Sequence, residues 1–165
     1  MAETIAFVLR NLPVFLFVAA LLFAWLSRSG LPIADRLLAW ILLLPIGVTG
    51  LWAAVFHLFF PEIAAADIGW EPSPFQFEVG MADLAMGATA CVSFWRSLGF
   101  KAAAAVASSI FLIGDAVGHV RQMIAAGNFA PGNAGAPFFG DIAFPLLAII
   151  LLIIVRRSEA AARIS

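Results

Sequence analysis

The sequence predicts an all-α membrane protein, a bundle of about five transmembrane helices. Of its 165 residues, 64% are hydrophobic and only 12% are charged, and its mean hydropathy is +1.05. A soluble domain of this length cannot bury so much apolar side chain. The apolar stretches have the length of helices and lack the period-two alternation of barrel strands. A formal net charge of -1 offers no basic surface for nucleic acid, so the expected surroundings are a lipid bilayer.

Five apolar segments are predicted to cross the bilayer within a single domain, residues 1–165. Their approximate bounds are residues 4–27, 35–60, 74–95, 101–125 and 141–155. The last segment is short for a hydrocarbon layer of about 30 Å, so we expect its helix to begin in the preceding loop. The first segment starts like a signal peptide, but no small-residue cleavage motif follows Ser27. We therefore expect an uncleaved first helix.

The charges between the segments predict the orientation. Seven of the nine lysines and arginines flank the first and third loops or follow the last segment: Arg28, Arg36, Arg96, Lys101, Arg156, Arg157 and Arg163. The second loop carries Glu62, Asp67 and Glu71 without a basic residue. By the positive-inside rule the amino terminus lies outside and the carboxyl terminus inside. We therefore expect the chain to cross a membrane several times, with its carboxyl terminus on the cytoplasmic side.

The two outer loops differ in character. Residues 61–70 are predicted to form a short interfacial helix that ends at Gly69. Ser73 and Pro74 then restart a helix, with Ser73 as N-cap and Pro74 at the first helical position. Residues 126–137 are rich in Gly, Pro and Asn, which is typical of a turn-rich lid.

Four polar side chains on three different helices are predicted to line one site in the outer half of the bundle. Three of them, His57, Glu78 and His119, fall at similar depths, and Asp115 lies one turn deeper than His119, near mid-membrane. His57 lies near the end of the second helix, Glu78 near the start of the third, and Asp115 and His119 on the fourth. Imidazole and carboxylate groups suit iron, manganese or zinc. We therefore predict a metal site at His57, Glu78, Asp115 and His119. Asp83 or Glu62 are further ligand candidates, and a redox role is one form of this hypothesis.

Other polar residues surround this set. Asp83 is five residues after Glu78, about 140° around the helix, and lies deeper. Arg10, Arg121 and Asp141 lie close to the predicted outer surface. We assign second-shell or proton-handling roles to these four. Asp141 has the alternative of being only the N-cap of the last helix.

The third and fourth helices are expected to form the central pair. Asp115 and His119 are four residues apart and share a helix face. Gly114 and Gly118 form a GxxxG pair beside them, which lets a second backbone approach closely. Small residues also line the third helix. Such surfaces further predict self-association into a homo-oligomer.

Three alternatives stay open for the polar residues. His57 and His119 are the only histidines and can hold a haem b between two helices. Glu78, Asp83 and Asp115 can form a proton or cation pathway in a transport or channel subunit. Structural ion pairs are the plainest alternative, Arg10 with Glu78 and Arg121 with Asp83 or Asp115, in an accessory membrane subunit.

Three sequence motifs support a family resemblance. They cover residues 73–85, 114–119 and 128–135 (SPFQFEVGMADLA, GDAVGH and NFAPGNAG). The chain resembles a family of small bacterial multi-helix membrane proteins known only as a domain of unknown function. This resemblance implies a bacterial membrane location, and it carries over no catalytic residues.

Overall fold

A computed structural model of the protein describes residues 7–8 and 10–162. All regular structure in this part is helical, which confirms the all-α class. The helices are α1 (Leu12–Leu26), α2 (Ile33–Phe59), α3 (Pro61–Ile68), α4 (Phe75–Ser93), α5 (Leu98–Ala126), α6 (Pro131–Ala134) and α7 (Ala136–Ala162). The predicted start of the first segment at Thr4, and Arg163 of the basic tail, lie outside the described residues.

Within residues 7–8 and 10–162, three stretches are long and apolar enough to cross a membrane: α2, α5, and α6 with α7 (Pro131–Ala162). Helix α1 is apolar but has only 15 residues, and α4 has 19. The last helix begins at Ala136, inside the predicted loop, as expected from the shortness of the apolar segment. The count of five spans and the orientation stay predictions.

Helix α2 changes its geometry at its centre. Residues Leu42–Val48 form a π-helical turn that contains Pro45. Proline has no N–H to give to the preceding turn, and an α-helix absorbs such a fault by widening locally. The second half of α2, Thr49–Phe59, therefore continues past the fault as regular α-helix.

The most extensive helix contact joins α2 to α4. A Cβ atom on Gly87 would lie 2.7 Å from the N of Leu51 and 2.9 Å from the O of Gly47. By contrast, a Cβ on Gly114 would meet nothing within 4 Å, and one on Gly118 only Trp70, at 3.4 Å. The prediction that α4 and α5 form the central pair is therefore wrong: α4 packs most extensively on α2, and α5 on α7.

A dry apolar core fills one end of the bundle. Its members come from α1, α2, α4, α5 and α7, and Leu38, Ile41, Leu42 and Val155 are almost completely buried. All four lie in the amino-terminal part of α2 or the carboxyl-terminal part of α7. Because these helices run antiparallel, the remaining parts of both helices lie at the opposite end of the bundle.

That opposite end, here called the capped end, is closed by α3, α6 and the turns beside them. Helix α3 ends at Gly69, whose φ of 73° is the left-handed conformation of a helix C-cap, as predicted. The Nδ2 of Asn128 donates to the carbonyls of Ile68 and Gly69 and joins the two loops. Helix α4 begins at Phe75, one residue after the predicted start.

Candidate functional site

A cavity of about 440 Å³ lies beneath the capped end, between α2, α4, α5 and α7. Six of the eight residues to which the sequence assigned a role line this cavity: Arg10, His57, Asp83, Asp115, His119 and Asp141. They come from five separate segments of the chain, so the fold brings them together. Their roles as ligands or proton carriers stay predictions.

The other two predicted residues lie elsewhere. Glu78 and Arg121 are exposed and do not line the cavity, and the same holds for Glu62. The buried side of α4 is a stripe of small residues with Asp83 among them: Gly80, Asp83, Gly87 and Ala90. Since Glu78 is off this stripe, α4 presents Asp83 to the cavity and turns Glu78 away from it.

His57 and Asp83 form the first of two histidine–aspartate pairs. The Nε2 of His57 lies 4.0 Å from Oδ2 of Asp83. A Cβ on Gly80 would lie 3.0 Å from the Cβ of His57, so the missing side chain lets α2 and α4 approach here. This approach sets the two polar groups at one wall of the cavity.

His119 and Asp141 form the second pair, with Asn133 as a third member. The Nε2 of His119 lies 3.5 Å from Oδ2 of Asp141, and its Nδ1 lies 2.8 Å from Oδ1 of Asn133. The Asn133 amide nitrogen donates to the carbonyls of His119 and Asn128, which leaves Oδ1 as the acceptor. Nδ1 of His119 therefore carries hydrogen, and its Nε2 faces a carboxylate. One proton on Nε2 or on Asp141 makes this contact favourable.

Asn133 also fixes the cap. The indole Nε1 of Trp70 donates to the same Oδ1 at 2.8 Å. The Trp70 ring lies 5.7 Å from the His119 ring, centroid to centroid. Asn133 is fully buried, so a residue of α6 orients both a residue of the second loop and the histidine of α5.

Asp115 differs from Asp83 and Asp141 of the same cavity because no histidine pairs with it. In the part of the chain that the structure describes, it has neither a hydrogen bond nor an ion pair. It is half-buried, and it lies close enough to Asp83 and Asp141 for the three charges to repel one another. Three aspartates from three helices thus converge on one space.

Three buried polar atoms of the cavity wall lack a hydrogen-bond partner among the described residues. They are the hydroxyls of Thr49 and Ser108 and the Nδ1 of His57. Ser108 is only 1% exposed. A buried hydroxyl or imidazole nitrogen without a partner is costly unless a bound molecule satisfies it. These atoms therefore mark the deep part of the cavity as a binding surface.

Arg10 lies at the exposed side of the cavity, here called the mouth. Its Nη2 lies 2.7 Å from Oδ1 of Asp67 on α3, so it pairs with Asp67 and not with Glu78. Arg10 is the only lysine or arginine among the described residues that line the cavity. Because its charge is already matched by Asp67, it does not compensate Asp115, which has no other partner among the described residues.

The imidazole and carboxylate groups of the cavity are of the types that bind transition metals, but they are not arranged to hold one. Each histidine–aspartate pair offers two ligands, and no three His, Cys, Asp or Glu side chains of the described chain come together closely enough to hold a metal ion. Haem ligation by His119 would require an exchange of its contact with Asn133 or Asp141. Side chains of the two histidine–aspartate pairs must therefore move closer to one another before they can hold a metal ion.

The sequence interpretation missed Asn133, Thr49 and Ser108. Asn133 sits in a Gly- and Pro-rich loop, where asparagine ordinarily indicates only a turn. The two hydroxyls lie in helices and can return to their own backbone. A usable signal existed for α4, where the period of Gly80, Asp83, Gly87 and Ala90 is that of one helix face.

Comparison with known proteins identifies the family to which the chain is similar. The model of a family of unknown function, DUF6790, matches residues 10–161. The match confirms the resemblance to a family without an assigned activity. No curated protein and no solved structure matches the chain.

Proposed function

The chain belongs to the DUF6790 family of unknown function, and we propose that it is a membrane protein that binds a cation in the cavity beneath the capped end. One observation carries this proposal: Asp83, Asp115 and Asp141 converge on a space whose one arginine among the described residues is paired with Asp67. Carboxylates crowded in an apolar bundle are costly without a compensating charge. A bound cation supplies that charge.

The membrane setting completes the proposal. We place five spans in a bacterial inner membrane, with the amino terminus and the capped end outside, on the strength of the loop charges. The helices α2, α5 and α7 support this setting by length and composition. The site then lies in the outer half of the bilayer, within reach of the outer aqueous phase past Arg10 and Trp70.

A metal ion of the iron, manganese or zinc class is one candidate cation. His57 with Asp83 and His119 with Asp141 would hold it, and Asp115 would complete the set. Such an ion would supply Lewis-acid or redox chemistry. Nitrogen and oxygen donors favour these metals over softer ones.

Cation binding is tested on the purified protein in mild detergent. Elemental analysis and an optical spectrum report a resident metal or haem, and calorimetric titration with zinc and with organic ammonium salts reports binding. Asp83→Asn is compared with Glu78→Gln, which removes an acid of the same helix outside the cavity. We expect only Asp83→Asn to weaken binding. Equal binding by wild type and Asp83→Asn would contradict the proposal and favour a structural accessory role.

Proton-coupled transport is the second candidate function. It is favoured by the His119–Asp141 contact, which needs a proton on one of its two facing atoms. A transported cation that displaces this proton would couple the two movements. The packed core at the other end excludes an open pore through one copy of the chain in this conformation.

The transport function is tested in liposomes with an enclosed pH indicator. A gradient of the bound cation should move protons in the opposite direction, and Asp141→Asn should abolish that movement. Cation flux that leaves the internal pH unchanged would contradict coupling.

A further inference from the structure

The geometry points to the occupant of the cavity: we infer that it is a protonated amine with an apolar body, whose ammonium group pairs with Asp115. This inference rests on the proposed cation binding and names the class of cation. It follows from the size of the cavity, the chemistry of its walls and the position of its unpartnered polar atoms.

The size of the cavity is the first argument. A volume of about 440 Å³ lies within the range of pockets that hold small organic molecules, roughly 300–1,000 Å³. A single metal ion or proton needs far less space, since even a water molecule fills only about 30 Å³. A ligand with an organic body fills this volume.

The chemistry of the walls is the second argument. Most of the lining is apolar, and its largest side chains are Trp52, Trp70, Phe56, Phe111 and Phe144. The rings of Trp52 and Phe56 lie 4.7 Å apart, centroid to centroid. Aromatic faces bind apolar groups and also attract cations, and a desolvated cation gains most from them. These walls suit a hydrocarbon body that carries a positive group.

The placement of the polar atoms is the third argument. Asp115 has no partner in the described chain, and the Ser108 hydroxyl two turns earlier on the same helix has none either. Thr49 contributes a second unpartnered hydroxyl from α2. An ammonium group donates up to three hydrogen bonds and accepts none. Asp115 can accept one of these bonds and pair with the charge. Ser108 lies about 10 Å away along the helix axis, which is too far for the same ammonium group to reach both side chains.

The inference is tested by calorimetric titration of the full-length protein in detergent, with empty micelles as the blank. The probe is 2-naphthylmethylamine, which is protonated at neutral pH. Its matched control is 2-naphthylmethanol, which has the same apolar body without the charge. The variants are Asp115→Asn, Ser108→Val and the exposed control Glu78→Gln. An unfolding measurement on each variant verifies that it is folded.

We expect the amine to bind the wild type and the alcohol to bind at least about tenfold more weakly. Asp115→Asn should raise the dissociation constant of the amine roughly 30-fold or more, as expected for loss of a buried charge partner. Ser108→Val should leave it unchanged within about twofold, because Ser108 lies too far from Asp115 to bond to the same ammonium group. Glu78→Gln should leave it unchanged within about twofold.

Four results would overturn the inference. Equal binding of amine and alcohol means that the cavity selects no charge, and unchanged amine binding in Asp115→Asn means that the amine binds elsewhere. If zinc binds at the aspartates but the amine does not, the inference is wrong and the proposed cation binding stands. If neither binds, both are wrong.

Discussion

The two ends of the bundle are built from the same helices but differ in what they bury. At the packed end, Leu38 and Leu42 of α2 meet Leu152 and Val155 of α7 and leave little space. At the capped end, the later turns of α2 and the earlier turns of α7 enclose a cavity that holds carboxylates and histidines. In a bilayer the packed end is held by close contact alone, because lipid is as apolar as leucine.

The boundary between the ends lies at the π-helical turn of α2. Pro45 and Ile46 of this turn belong to the cavity wall, and Ile46 also belongs to the apolar core. The extra width of a π-turn shifts the register of every later side chain, and such turns are frequent at functional sites. Close packing thus serves stability at one end, and at the other end the packing leaves a cavity lined by acids, where we propose that a cation binds.

The largest effect on stability is expected at the contact of α2 with α4. Gly87→Ala places a methyl group within 3 Å of backbone atoms of α2 and should lower the free energy of unfolding by about 3 kcal/mol. Gly114→Ala is the matched control, because its methyl group meets nothing within 4 Å. Unfolding in mixed micelles measures both, and equal losses would contradict the assignment of the close contact.

Two leucines compare the ends directly. Leu42 is fully buried in the core, whereas Leu112 lines the cavity. Leu42→Ala creates a void and should cost about 2 kcal/mol from lost contacts. Leu112→Ala only enlarges an existing space and should cost about half as much. A larger cost for Leu112→Ala, measured in the same micelles, would mean that the cavity is collapsed in the membrane.

Asn133 tests the hydrogen bonds that hold the capped end together. Asn133→Ala removes the acceptor of Trp70 and His119 and the donor to two carbonyls, which should cost about 1.5 kcal/mol if water enters from the mouth. The fluorescence of Trp70 should shift to longer wavelength as its indole becomes hydrated, and Trp70→Phe identifies its share of the spectrum. An unshifted spectrum would contradict the contact between Trp70 and Asn133.

The smallest effect is expected at the mouth. Arg10 and Asp67 are 40% and 41% exposed, and an exposed ion pair stabilises a protein little. Arg10→Gln should change the free energy of unfolding by less than about 0.5 kcal/mol. A double-mutant cycle with Asp67→Asn measures the pair itself, and a coupling above about 1 kcal/mol would show that the mouth is drier than its exposure indicates.

The sequence predicted much of the fold because its signals were local. Composition and helix-length apolar runs predicted the helices, and Gly69 predicted the end of α3. The partners of the helices were not predicted. Gly114 and Gly118 have the familiar GxxxG spacing, but Gly114 faces open space and Gly118 meets only the Trp70 side chain, not the backbone of another helix. Glu78 and Asp83 were known to point apart, but which of them faces inward depends on where α2 packs. Asn133 was missed because its role comes from contacts 14 and 63 residues away along the chain.

Asp115→Asn tests the central claim, that the capped end trades stability for cation binding. The substitution removes one of three mutually repelling carboxylates and keeps the shape of the side chain. We predict that the unfolding free energy of the ligand-free protein rises by up to about 1 kcal/mol, as is common at binding sites. We also predict that 2-naphthylmethylamine binds the same variant roughly 30-fold or more weakly. A variant that loses stability and binds the amine as the wild type does would contradict the claim, and Asp115 would then be a structural residue.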